Sequence, residues 1–390
     1  MGYEADWTFN YFGPTKVIFG VGMISDLPLE VGSLGKKALL VTDPGIIATG
    51  MADQVEAMLG GSLAGVYSDI PQDTGIDIVD QGAEYARSVD ADVVVSLGGG
   101  SAIDTAKGIC ILLTEGGNLK DYQGMQLLTR PQTPHVVIPT TAGTGSEVTI
   151  FSVVLDKEQG QKIFLFENYN IPRVAILDPK MTEKLPPGLT ASTGMDAMTH
   201  AVEAYVSQQR NPISDGMALH AIRLINTYLP QAVEDGSDMV ARGQMQIAAL
   251  IAGWAFSNAM VGMVHAMAHS LGAVCRTPHG LANGILLPHG MRYNLEEIPD
   301  RMADIADALG VETRNMSPVT AGEAGITEVE ALVKRIGMPT TLKDAGVKES
   351  KLEQCSELAV TDGAIVYNPR FVMDPEEVLE VYRKAYFGGD

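Results

Sequence analysis

Five of the seven histidines, His200, His265, His269, His279 and His289, fall between positions 200 and 289 of the 390-residue chain. Asp196 and His200 stand four apart within a helical pattern running from Met195 to Val206, so they project from one face of it. His265 and His269 repeat that spacing on a second helix. A carboxylate and several imidazoles on facing helices form a ligand set for a divalent cation that needs no thiolate. His279, in the loop Thr277-Pro278-His279-Gly280, joins the set, and His289, in a second Pro-His-Gly, is an alternative ligand. His135 and His220 are isolated and are expected to be structural.

Two loops carry groups suited to a phosphorylated ligand. Gly98-Gly99-Gly100-Ser101 follows an apolar run and opens a predicted helix through Asp104 and Lys107. Glycines there lack Cβ atoms, which lets backbone N–H groups at a helix N-terminus approach a phosphate. The spacing is not that of a G-x-G-x-x-G fingerprint. The second loop, Pro139 to Glu147, places Thr140, Thr141, Thr144 and Ser146 at the end of another strand, where ligands of doubly wound sheets bind. Its plainer reading is a capping box of Thr144 and Glu147. Asp43 ends a third strand; its carboxylate can accept from a ribose 2′-hydroxyl and would repel a 2′-phosphate, which predicts NAD over NADP.

The elements that must hold these residues are legible in outline. Lys37 to Thr42, Ala91 to Leu97, His135 to Pro139 and Arg173 to Leu177 are short, continuously apolar runs, as expected of parallel strands covered on both faces. Gly50 to Leu59 and Ile76 to Val89 read as the helices between them. Phe151 to Asp156 and Gln161 to Phe166, separated by Lys157-Glu158-Gln159-Gly160, read as a hairpin. Beyond Leu185-Pro186-Pro187-Gly188 the strand signals stop and apolar residues recur at helical spacing, as in Ala218, Ile222, Ile225 and Leu229. The chain therefore divides into an α/β domain, residues 1–184, and an all-helical domain, residues 185–390.

Composition narrows the function classes. A formal charge of −21 repels phosphate backbones and anionic lipid heads, so neither nucleic acid nor a membrane surface is an expected partner. Cys110, Cys275 and Cys355 are odd in number and widely spaced, which fits a reducing cytoplasm rather than a disulfide framework. Glu4 and Asp6 sit where a secretory signal needs basic and apolar residues, so no export signal is expected. Residues 243–275 carry no formal charge, yet Ser257, Asn258, His265 and His269 interrupt the run and favour a pair of buried helices over a membrane span.

Taken together, Gly98 to Lys107, the Pro139 to Glu147 loop, Gly194 to Tyr205 (GMDAMTHAVEAY) and His265 to Gly272 leading to Pro278-His279-Gly280 resemble the iron-containing (group III) alcohol dehydrogenases, the group of lactaldehyde reductase and 1,3-propanediol dehydrogenase. The resemblance covers nearly the whole chain. It implies a Rossmann-like dinucleotide-binding domain followed by a helical metal-binding domain of the dehydroquinate synthase-like fold, with the active site in the cleft. It implies that Asp196, His200, His265 and His279 bind the metal, with His269 left beside the substrate; as an imidazole one helical turn from a ligand, His269 is the candidate proton relay. Gly98, Gly99, Gly100, Ser101, Thr140, Thr141 and Asp43 would hold NAD, with Lys162 near the site; Asp104, Thr144 and Ser146 complete the candidate cofactor-binding set. The activity implied is hydride transfer between a small alcohol or diol and NAD, in a homodimer. Fe²⁺ is the expected ion, and the ligands also suit Zn²⁺. Two neighbouring readings share the architecture: a zinc-dependent polyol dehydrogenase of the glycerol type and a hydroxyacid–oxoacid transhydrogenase.

Overall fold

The computed structural model describes residues 8–71, 74–158 and 161–388; Glu4, Asp6, Gln159 and Gly160 lie outside them. Strands β1 (Lys16–Phe19), β2 (Ala38–Val41), β3 (Leu63–Tyr67), β4 (Val93–Gly98), β6 (His135–Pro139) and β9 (Val174–Leu177) form a parallel sheet in the order β1-β9-β6-β4-β2-β3. The apolar runs of β2, β4, β6 and β9 are continuous because these strands are buried on both faces. Leu39, Val41 and Val94 enter one core, together with helices α4 (Ile76–Ser88) and α5 (Gly100–Glu115). Ala38, Leu40, Val93 and Val95 enter the other, together with α1 (Leu27–Leu34) and α3 (Met51–Leu59). This is the expected doubly wound domain. The strand order reverses between β2 and β4, so Asp43 and the Gly98 loop leave the sheet on either side of its switch point.

The predicted hairpin is present as β7 (Phe151–Asp156) and β8 (Gln161–Phe166), extended by the two-residue strand β5 (Gly124–Met125). Its antiparallel register sets Phe151 opposite Phe166 and Val153 opposite Phe164. Side chains alternate along a strand. Val154, Ile163 and Leu165 therefore enter the core beneath α5, while Phe151, Val153, Lys162, Phe164 and Phe166 face the cleft. Lys107, fully buried on α5, fastens the base of the hairpin by donating from Nζ to the carbonyls of Thr149 (2.9 Å) and Phe151 (2.6 Å). Burial brings its pKa down to about 8, against the opposing pull of Asp104 and Glu147.

After β9 the described chain is helical: α6 (Pro187–Val206), α7 (Pro212–Glu234), α8 (Met239–Ala259), α9 (Met263–Cys275), α10 (His279–Asn294), α11 (Pro299–Ala308), α12 (Pro318–Arg335), α13 (Leu352–Ala359) and α14 (Pro375–Phe387). Ala218, Ile222, Ile225 and Leu229 of α7 are all fully buried, as their spacing requires. No single described helix is long and apolar enough to cross a membrane; α8 and α9 meet at 103°, and both are largely buried. His135 is buried and its Nε2 meets Ser96 Oγ at 2.8 Å, whereas His220, expected to be structural, is exposed on α7.

The short α2 (Pro44–Ala48) begins at Asp43, whose Oδ1 accepts from Ile46 N–H. The second loop presses directly on the helical domain. Gly145, with φ +61°, lies against α8 so closely that a Cβ there would fall 2.6 Å from Gly253 Cα. A Cβ on Gly143 would fall 2.7 Å from the carbonyl oxygen of Thr193 on α6. Backbone thus meets backbone where the two domains touch, and Thr144 and Ser146 are held over the cleft between them.

Candidate active site

A cavity of about 500 Å³ opens between the two domains. Its carboxylate and imidazole groups come from α6 (Asp196, His200), α9 (His265, His269) and the first residue of α10 (His279). Asp196 Oδ1 lies 3.4 Å from His279 Nε2 and 3.9 Å from His265 Nε2, and donor atoms of these three residues fall within 4.8 Å of one another. His200 is adjacent. Its ring stacks on His265 at 4.6 Å and on Phe256 at 4.1 Å, although it does not enter that tight cluster, and its buried Nδ1 has no hydrogen-bond partner. His289 is buried farther along α10, outside both the cluster and the cavity.

The charge state suits a cation. Burial holds His265, His279 and His200 below the ordinary imidazole range, leaving lone pairs available. Burial alone would raise Asp196, but His200, His279, His265 and a hydrogen bond from Asn283 outweigh it and keep the carboxyl below its usual range. One anionic carboxylate among neutral imidazoles, packed to ion-bridging distances, fits a divalent metal.

His269 lies one turn beyond His265. Its ring stacks on His279 at 5.3 Å and faces Phe164 at 5.5 Å, and its Nδ1 is 2.8 Å from Asp362 Oδ2. Adjoining the imidazoles, Phe256, Phe151, Phe166 and Phe164 continue the ring contacts at 5.3, 4.8 and 6.0 Å. The cavity therefore has one wall of nitrogen donors and another of phenyl rings.

The α/β domain supplies the remaining walls. Gly100, Ser101 and Asp104 of α5 line the cavity, as do Thr144, Ser146 and Lys162. Asp104 is also a strut: its Oδ2 accepts from Val153 N–H at 3.1 Å, its Oδ1 is buried without a partner, and burial pushes its pKa up to about 6 against the pull of Lys107. Asp43, Gly98, Gly99, Thr140 and Thr141 sit outside the cavity lining, at the adjoining strand ends. They are packed together there: Cβ atoms on Gly98 and Gly99 would lie 3.3 Å from Asp43 Oδ2 and 3.1 Å from Thr141 Cγ2. Thr144 Oγ1 accepts from Ser146 N–H at 3.3 Å, within a turn whose cap is Gly145, so Thr144 does not cap a helix through a box with Glu147.

Two residues at the site carry no signal in the sequence reading. Asp362 is 93 positions from His269, and it is brought there by the short turn Gly363–Tyr367 packing on α9. Asn283 follows His279 by one helical turn, a spacing that could have drawn attention to it. Its Nδ2 donates to Asp196 Oδ1 at 2.7 Å and lies 3.3 and 3.2 Å from His265 and His279 Nε2.

Comparison with known proteins places the chain in a family. Residues 14–179 match the family model for iron-containing alcohol dehydrogenase, and residues 190–386 match that for the C-terminal part of the Fe-containing alcohol dehydrogenase family. The 1,3-propanediol dehydrogenase of Citrobacter freundii is 43% identical over 386 residues, covering 97% of this chain and 99% of its own. The NAD-dependent methanol dehydrogenase of Bacillus methanolicus is 36% identical over 379 residues, covering 96% and 99%. A crystal structure of a 1,3-propanediol oxidoreductase superposes with a TM-score of 0.95 at 41% identity, covering 97% of this chain and all of that one. The chain belongs to the iron-containing alcohol dehydrogenase family and is an oxidoreductase of that family.

Proposed function

We propose that the protein is a metal-dependent, NAD(H)-linked alcohol dehydrogenase that transfers a hydride, in either direction, between a small alcohol or diol and NAD. The observation that carries this reading is the convergence, in one cavity, of the Asp196–His265–His279 donor cluster with the glycine-opened N-terminus of α5. Relatives named as 1,3-propanediol and NAD-dependent methanol dehydrogenases support the substrate class and the cofactor. A bound divalent ion supplies Lewis acidity toward the substrate oxygen, and the nicotinamide supplies the hydride chemistry.

Asp196, His200, His265 and His279 are the residues to hold the ion, Fe²⁺ by family and Zn²⁺ equally by donor type. The N–H groups of Gly99, Gly100 and Ser101 receive the pyrophosphate at the positive end of α5. Asp43 accepts from the adenosine ribose across the switch point, while Gly98, Thr140 and Thr141 shape the strand ends beside it. Asp104, Thr144, Ser146 and Lys162 line the route toward the nicotinamide end. His269 takes up or returns the hydroxyl proton, with Asp362 as counter-charge to its imidazolium. Phe151, Phe164, Phe166 and Phe256 exclude water and offer the carbon chain an apolar wall, which favours short, uncharged alcohols. A homodimer in a reducing cytoplasm completes the reading.

The test is NADH formation with a panel of short primary alcohols and 1,3-diols, using metal-stripped protein reloaded with Fe²⁺ or Zn²⁺. Activity should return with metal in the wild type and not in His200→Ala, His265→Ala or His279→Ala. Full turnover by stripped protein would refute the assigned role of the ion.

A further inference from the structure

The two helices that carry most of the donor residues are joined by a carboxylate outside the set discussed so far. Glu203 lies on α6 one turn beyond His200 and is 4% exposed. Two backbone N–H groups and a ring nitrogen converge on it. Its Oε1 accepts from the backbone of Val264 at 2.7 Å, and its Oε2 accepts from the backbone of His265 at 3.4 Å and meets His265 Nδ1 at 2.5 Å. The N-cap of α9 is Gly262, which has no side chain to satisfy the first-turn amides, so Glu203 serves as a cap reached from another helix.

Burial pushes the Glu203 carboxyl up to about 7, against the backbone N–H groups of Gly262, Val264 and His265 that favour its ionised form; in that form the carboxylate can only accept hydrogen bonds. The proton of a neutral His265 must then sit on Nδ1, which leaves Nε2 as a lone pair, and Nε2 is the atom that faces Asp196. With the other tautomer, a carboxylate would confront an unprotonated nitrogen at 2.5 Å, and the N–H would point into the donor cluster. The carboxylate also fixes the first turn of α9 to α6, and with it the spacing of His265 from Asp196 and His200. We propose that Glu203 is a positioning residue: it selects the His265 tautomer and clamps α9 to α6, so that the donor atoms are assembled before an ion arrives. This rests on the reading of Asp196, His200, His265 and His279 as a metal centre, and partners of this kind typically tune metal affinity by about 10- to 100-fold.

The clamp and the tautomer can be separated from general loosening by a control on the same turn. Asn368 Oδ1 accepts from Met263 N–H at 3.5 Å, so Asn368→Ala disturbs the start of α9 without touching the His265 ring. Glu203→Gln keeps the shape but replaces one acceptor oxygen by a donor. Affinity for Co²⁺ alone is measured by competition with a chromophoric chelator for the wild type, Glu203→Gln, Asn368→Ala and His279→Ala. Nitrogen-15 NMR of the metal-free proteins reads the tautomer of His265, whose signals are assigned by their loss in His265→Asn. The expected result is Nδ1–H in the wild type, with Co²⁺ affinity about 10- to 100-fold weaker in Glu203→Gln and within about threefold of wild type in Asn368→Ala. Equal weakening in Glu203→Gln and Asn368→Ala, or undiminished affinity in Glu203→Gln, overturns the proposal. So does an Nε2–H tautomer in the wild type, a reading that needs no metal. Unchanged Co²⁺ binding in His279→Ala would instead strike at the metal centre itself, leaving the tautomer measurement to decide the role of Glu203.

Discussion

Replacing Asp362 by Asn isolates the proton-handling step from everything else in the cleft. The carboxylate meets His269 Nδ1 at 2.8 Å, and both side chains are largely shielded, at 15% and 19% exposure. Its other oxygen caps the following turn by accepting from Ala364 N–H at 2.8 Å, a role Asn fills well. The substitution therefore keeps the cap through Oδ1 but sets an Nδ2 donor against the ring, removing both the charge and the acceptor opposite a transient imidazolium. A hydrogen bond to a charged group contributes about 1.5–3 kcal/mol, and the imidazolium loses that contribution. At about 1.4 kcal/mol per decade, kcat should fall by roughly 10- to 100-fold. His269→Ala should cost more, about 10²- to 10⁴-fold. The assay is the saturated rate of NADH formation, with metal content and thermal midpoint measured on the same samples. Because Asp362 acts through His269, the double variant should be no slower than His269→Ala alone. Wild-type turnover in Asp362→Asn, multiplicative losses in the double variant, or loss of metal from His269→Ala would each refute the reasoning.

Three further outcomes follow from the same structure. Asp43→Ser retains a capping oxygen for α2 but drops the charge, so kcat/KM for NADP should rise at least about tenfold relative to NAD; an unaltered preference would remove Asp43 from the ribose site. Gly253→Ala sets a Cβ 3.0 Å from Gly145 Cα and carbonyl oxygen, and should cost about 1–3 kcal/mol of stability while raising KM for NAD; a wild-type thermal midpoint would show that the contact yields freely. Glu147, 3% exposed, is pushed by burial from 4.5 to about 7, with Lys107 pulling the other way. Between those values the folded protein holds a proton that the unfolded chain has released, so stability should fall as pH rises through this window. Glu147→Gln should flatten that fall by on the order of 3 kcal/mol, measured by urea unfolding at fixed metal concentration, and an identical pH profile in the variant would contradict it.

Elements whose fate is fixed by local pattern could be read from the chain alone. Val93 to Leu97 is apolar on both faces because both faces are covered, and the hairpin of Phe151–Asp156 and Gln161–Phe166 lies where its two β-rich runs and intervening turn residues place it. The i, i+4 pairs put Asp196 with His200 and His265 with His269 on common faces, which is a property of any helix. Short strands at the sheet margins had no such signature: β1 contributes a single buried side chain, Ile18, and β3 is half-buried throughout. Residues that act by reaching across the fold were equally silent. Asp362 matters because it meets His269 midway along α9, and Glu203 because it meets the first turn of that helix, and neither contact can be read from the local pattern. Lys107 stands inside a recognisable motif, yet its complete burial on the carbonyls of Thr149 and Phe151 depends on a hairpin more than forty residues later.

The alternating hairpin has a consequence for how this enzyme can change. Positions 151, 153, 162, 164 and 166 look into the cavity, while 154, 163 and 165 are committed to packing. Point exchanges at the former can retailor what the protein accepts and leave its foundations alone. A single-residue insertion or deletion within either strand would turn the ribbon over, sending Ile163 and Leu165 outward and driving Lys162 and two phenylalanines into the interior. Diversification of this wall should therefore proceed by replacement at constant length, and related sequences with different appetites should differ here in identity while keeping the same count.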